Sequence, residues 1–112
     1  MYRVPKSNHD AIVTNLKKFI PWFEEHGVRI EYYQFSNSET MEGMESFTKA
    51  LSCTEDEEIW MELQYFKDAK QAKDLYALMM NDKTLEPLGT EFFGLIKQGK
   101  SLVTGGFNRL AA

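Results

Sequence analysis

The chain has 112 residues, of which 43% are hydrophobic and 27% charged, and its 17 acidic and 13 basic side chains give a net charge of −4. That length makes one domain, residues 1–112, and that balance excludes both disorder and a basic surface built to neutralise nucleic-acid phosphates or anionic membranes. A single cysteine, Cys53, excludes an intrachain disulfide framework, no apolar run approaches the ~20 residues that span a bilayer, and the opening MYRVPKSNHD has no export signal, so the sequence reads as cytoplasmic.

The first predicted element is YRVP, a short β-prone stretch closed by Pro5, which lacks the N–H that a continuing strand needs. Ser7 then reads as an N-cap with Asp10 three residues on. Ile12, Leu16, Phe19, Ile20 and Phe23 recur at helical spacing and predict a helix from Asn8 to His26. Pro21 should kink or divide that helix, and Gly27 should end it. VRIEYYQF, residues 28–35, is the second strand, with Val28, Ile30 and Tyr32 on its apolar face and Arg29, Glu31 and Tyr33 on its mixed one. Residues 36–56 form a long polar excursion holding a short helix near 44–51.

EEIWMELQYF, residues 57–66, is the third strand, and neither of its faces looks meant for water. Ile59, Met61, Leu63 and Tyr65 fall on one side, and Trp60, Glu62, Gln64 and Phe66 on the other. Asp68 caps the next helix with Gln71 at the capping-box position. A shorter helix starts at Pro87 and stops before Gly99. SLVTGGFNRL, residues 101–110, is the last strand, and its paired glycines 105 and 106 predict a bulge.

The order β-α-β-β-α-(α)-β predicts an α+β fold, a ferredoxin-like βαββαβ sandwich with a four-stranded antiparallel sheet and both main helices on one face. With Ile59, Met61 and Leu63 assigned to the helices, the row containing Trp60 and Phe66 lies on the bare face. A bare sheet with central aromatics predicts a homodimer, sheet against sheet.

The stretches VPK, EHG followed by EYY, SFTKAL, EEIWMELQYFKDA, MMND and VTGGF, in that order, resemble the family catalogued as domain of unknown function 1428. The resemblance runs over nearly the whole chain and implies the dimeric α/β-barrel version of the ferredoxin-like fold. It also implies a first strand truncated at its N-terminus, since family members carry more residues before the VPK equivalent. FFGLIKQGKS departs from the family's basic, methionine-containing pattern. The family lends no functional residues.

Glu62, alone among aromatics on the central strand, is the candidate general acid or base, because burial without a counter-ion raises a carboxyl pKa. The competing reading pairs it with Arg29, Lys100 or Arg109. Trp60, Tyr33, Glu31, Arg29, Gln64 and Phe66 would line a pocket for a flat, polar-edged molecule, or else simply pack an interface. His26 ends the first helix, where the helix dipole favours an imidazolium; its alternative role is proton transfer. His9 lies at the opposite end of that helix, and no His/Cys cluster is present, so neither a metal site nor a cofactor is expected. Cys53 beside TEDEE reads as inert, and the tandem glycines lack the lysine and helix of a phosphate loop. An RNA-binding surface needs a basic third strand, whereas this one begins with two glutamates.

Two functions follow as expectations. One is a homodimeric domain that is structural or binds a small molecule. The other is a cofactor-independent enzyme, monooxygenase- or isomerase-like, that holds an aromatic or quinone-like ring with Trp60, Tyr33 and Phe66 while Glu62 or His26 moves a proton.

Overall fold

The computed structural model describes residues 1–97 and 102–110. Its elements are β1 (Tyr2–Pro5), α1 (His9–Glu25), β2 (Arg29–Gln34), α2 (Phe47–Ala50), β3 (Glu57–Tyr65), α3 (Ala69–Asn81) and α4 (Glu86–Leu95), with one 3₁₀ turn at Lys6–Asn8.

Local chemistry sets most of the boundaries. Ser7 does not cap α1, because the 3₁₀ turn takes it up and Asn8 becomes the N-cap. The Asn8 side chain is also spent elsewhere, donating to the Leu95 carbonyl at 3.0 Å. Pro21 does not divide α1; the helix continues to Glu25. The carbonyl deprived of its partner belongs to exposed Lys17, where water can replace the lost bond. The helix closes in a Schellman motif, with Val28 N–H donating to Phe23 O and Gly27 N–H to Glu24 O, both at 3.0 Å. Gly27 supplies the required left-handed backbone at φ +74°. This turn leads straight into β2.

The predicted short helix in the 36–56 excursion is α2, capped by Ser46, whose hydroxyl accepts from Lys49 N–H at 3.2 Å. At α3, Asp68 accepts from Gln71 N–H at 2.8 Å, and the Gln71 side chain takes the Lys67 N–H at 2.7 Å. Pro87 sits in the first turn of α4, where its missing N–H costs nothing. The predicted stop at Gly99 lies outside the described residues.

β3 is the central strand, antiparallel to β1 on one side and β2 on the other. Tyr2 pairs with Trp60 and Tyr32 with Glu62. Because side chains alternate, this register puts Trp60, Glu62, Gln64, Tyr2, Val4, Ile30 and Tyr32 on one face. That face is the one covered by helices. Tyr2, Val4, Ile12, Leu16, Trp60 and Ile96 form one buried cluster, and Trp22, Phe23, Val28, Ile30, Leu75 and Leu85 a second, with Phe66 packed against it.

The expected orientation of β3 is therefore reversed. Trp60 and Phe66 belong to the helix-side core, and Met61, Leu63 and Tyr65 share the outer face with Arg3, Arg29, Glu31 and Tyr33. Both rows of β3 are apolar enough to be buried, so alternation alone did not choose between them.

Among the described residues the sheet has three strands, and the fold is α+β. The expected fourth strand is not formed over 102–110, and Ser101 lies outside the described residues. Val103 and Met1 nevertheless exchange both main-chain hydrogen bonds at 2.8 Å, as one hydrogen-bonded pair of an antiparallel ladder does. In that direction residues after Val103 run past Met1 and beyond the main chain of β1. Phe107 and Leu110 are left exposed there.

Candidate functional site around Glu62

The helix-covered face of the sheet should be wholly apolar, and at Glu62 it is not. Its carboxyl, at the middle of β3, takes hydrogen bonds from the Gln64 amide two residues on and from the hydroxyl of its cross-strand partner Tyr32. Gln64 is held in turn by α3: the Tyr76 hydroxyl donates to its carbonyl oxygen at 3.1 Å, and the Tyr76 ring packs on Phe66 with centroids 5.8 Å apart. Tyr2 reaches the same layer from β1. Its hydroxyl is buried and finds no hydrogen-bond partner.

Burial holds the Glu62 carboxyl above the usual carboxylate range, although the bonds from Gln64 and Tyr32 and the charge of the Met1 amine oppose the shift. Burial likewise pushes the Tyr2 and Tyr32 hydroxyls well above the normal phenol range, with the Glu62 charge adding to both shifts. A proton is therefore retained readily across this group. The arrangement can donate or accept one proton from a molecule that reaches it, and two phenolic O–H groups stand beside it as donors.

The sheet divides the other expected site residues into two sets. Trp60, Glu62, Gln64 and Phe66 stay together on the inner face. Arg29, Glu31 and Tyr33 lie on the opposite one, so they line no common pocket with Glu62. There the Arg29 guanidinium stacks on the Tyr65 ring at 4.0 Å, and Tyr33 bonds to Glu31. Arg29 is thus excluded as the counter-ion of Glu62, by parity. Arg109 is exposed, and Lys100 lies outside the described residues.

The family described as "Protein of unknown function (DUF1428)" matches residues 1–94, from β1 through most of α4. The chain belongs to this family. Neither a curated protein nor a solved structure matches it.

In this DUF1428 protein His26 is removed from Glu62 by its packing. It caps α1, its ring lies 4.2 Å from that of Trp22, and its Nδ1 is 2.7 Å from the Trp22 carbonyl. It lines a shallow depression of about 220 Å³ with Asp68, Gln71, Asp74 and Leu75 of α3 and its cap. A larger groove of about 460 Å³ lies between α1 and the start of α4, lined by Lys18, Trp22, Leu85, Leu88 and Glu91 among others. Glu62 lines neither. Cys53 has its thiol pushed up, by burial first and the Glu57 carboxylate second, which suits the inert role expected of it. No group of three metal-ligating side chains is found among the described residues, and none of their helices is long and apolar enough to cross a membrane.

Sequence reasoning missed Tyr2 and Tyr76 and read Tyr32 only as apolar bulk. It also missed the contact between His9 and Glu58. One signal was available for Tyr32: once β2 and β3 are paired, the carboxylate at the middle of the inner row, Glu62, must face a β2 residue able to donate, whereas Glu58 stands at the end of that row.

Proposed function

We propose that this protein works as a homodimer formed by its outer sheet faces, each subunit keeping a small-molecule site around Glu62 between sheet and helices. The observation that carries the dimer is the outer face itself. Met61 and Leu63 belong to neither buried cluster, and Tyr33 and Tyr65 are exposed beside them. A central strand with such a row favours a partner, and an isologous pairing of two copies is the simplest one. The Met1–Val103 pair supports a fourth, ferredoxin-like strand that meets the free edge of β1 around Val103, with the dimeric α/β barrel as the assembly. The lone thiol and acidic charge fit a cytoplasmic site of action.

The unmatched Tyr2 hydroxyl favours a ligand over a purely structural interior. A buried donor without a partner costs ~1–3 kcal/mol, and a polar atom of a bound molecule would remove that cost. A second reading follows from the raised Glu62 pKa: a cofactor-independent proton-transfer enzyme acting on a small aromatic or quinone-like substrate, with Glu62 moving the proton and Tyr2 and Tyr32 as donors to the substrate oxygen. Trp60 and Phe66 remain the aromatic walls in both readings, and Tyr33 belongs to the interface.

Native mass spectrometry of gently purified protein tests both parts. A species at twice the 13.0 kDa chain mass supports the dimer, and a monomer overturns it. A stoichiometric excess mass, lost in Glu62→Gln, supports the ligand site; a bare dimer points to the packed, structural form.

A further inference from the structure

The chain has two histidines, and both have Nδ1 tied to an oxygen, but the oxygens differ. His26 Nδ1 meets the Trp22 carbonyl at 2.7 Å. His9 Nδ1 lies 2.9 and 3.2 Å from the two oxygens of the Glu58 carboxylate. Carbonyl and carboxylate oxygens only accept, so Nδ1 carries the proton in each neutral ring and the lone pair is left on Nε2. Behind His9, however, stands a negative charge that stabilises the ring as Nε2 becomes positive.

Glu58 is fixed in place. Its side chain is 12% exposed, and it also accepts from the Gln34 amide of β2 at 2.6 Å and from the Trp60 indole N–H at 3.4 Å. Two strands thus hold the carboxylate while α1 brings the imidazole to it. The Trp60 ring, 5.5 Å from that of His9, limits its tilt. The His9 side chain is 40% exposed, so a solute can reach it from solvent. An oriented imidazole with a buried carboxylate at its back has the geometry of a nucleophile or base with its positioning group.

We propose that His9 and Glu58 form a second reactive site, separate from Glu62, in which His9 Nε2 attacks small activated esters and Glu58 is the positioning residue. The Nε2 lone pair adds to the acyl carbon, the ester C–O bond breaks, and the leaving oxygen departs with the electron pair. Glu58 stabilises the resulting acylimidazolium. Water then adds to the acyl carbon and gives up one proton, which goes through solvent to the departed oxyanion, releasing the carboxylic acid and returning the neutral imidazole, so the balance is one ester and one water to one acid and one alcohol. The dyad supplies a nucleophile but no oxyanion donors of its own, which limits the class to esters whose leaving group departs unaided.

Release of 4-nitrophenolate from 4-nitrophenyl acetate tests the site. The protein-dependent rate should vanish in His9→Gln and remain in His26→Gln. In Glu58→Gln, which keeps the imidazole but removes the charge behind it, the rate should fall roughly tenfold, the scale of one charge-assisted hydrogen bond. A wild-type rate in either His9→Gln or folded Glu58→Gln overturns the proposal. Long-range ¹H–¹⁵N spectra of the wild-type protein give a readout independent of variant folding: a neutral His9 protonated on Nε2 overturns it as well.

Discussion

Glu57 and Glu62 lie five residues apart on one strand, and their surroundings push them in opposite directions. Glu57 faces outward. The Thr54 N–H donates to its carboxylate at 3.0 Å, the Thr54 hydroxyl at 3.1 Å, and Arg3 stands at 3.4 Å, so its pKa is lowered, chiefly by the Thr54 main-chain bond. Glu62 faces the helices, and burial raises its pKa. A lowered folded pKa means the unfolded chain binds the proton more readily, so Glu57 stabilises the fold at neutral pH, and that contribution is lost as pH falls through the carboxylate range. A raised folded pKa means the reverse, so ionising Glu62 costs stability as pH rises from the ordinary carboxylate value through its elevated one. Glu57→Gln should therefore lower the melting temperature at pH 7 and have little effect near pH 3. Glu62→Gln should raise it at pH 7, with the gain closing below pH 4. Thermal melts across that range check both, and a Glu62→Gln protein less stable than wild type at pH 7 would mean that its carboxylate is better paired than burial implies.

At the scale of elements, the caps are the features most fully encoded locally. Asp68 closes the N-terminus of α3 with Gln71, and replacing it with alanine should cost about 1 kcal/mol, read from chemical denaturation. Gly27→Ala should cost about 1 kcal/mol, because φ is +74° there and the Cβ is penalised by backbone conformation alone, with nothing within 4 Å to clash. A Gly27→Ala loss no larger than that of an exposed helical substitution would show that the turn relaxes. Where a cap residue had a competing tertiary partner, local reasoning failed. Asn8, the actual N-cap of α1, gives its side chain to Leu95, 87 residues away, and only the packing of α4 against α1 reveals that bond.

For the whole molecule, the division between two sheet faces decides what each substitution does. Leu63→Glu puts a charge on the outer face and should leave a folded protein that sediments as a monomer. Trp60 is 6% exposed and lies in the helix-side core, so Trp60→Glu should unfold the protein rather than separate subunits. Circular dichroism with analytical ultracentrifugation separates the two outcomes. A folded Trp60→Glu monomer would return that residue to the interface. The long 36–56 excursion belongs to the same scale. Phe47 packs edge-on against Phe35 at 5.9 Å, and Arg3 donates to the Ser52 carbonyl at 2.9 Å, so the loop lies over one end of the outer face and sets its border.

Seven elements, the Gly27 and Asp68 caps, the pairing of Val28 and Ile30 with the helices, and Glu62 as the residue out of place were legible in the order of residues alone. These rest on short-range causes: backbone conformation, hydrogen bonds a few residues long and one clear apolar stripe. Which row of β3 faces the helices became fixed only in the assembled sheet. Both rows contain aromatics, and a 22-residue connection separates β2 from β3, so nothing local transmits the parity from one strand to the next. The pairing of Tyr32 with Glu62 fixes it. That register separates Arg29, Glu31 and Tyr33 from Glu62 and sets Tyr32 beside it, while the pairing of Tyr2 with Trp60 brings Tyr2 into the same inner layer.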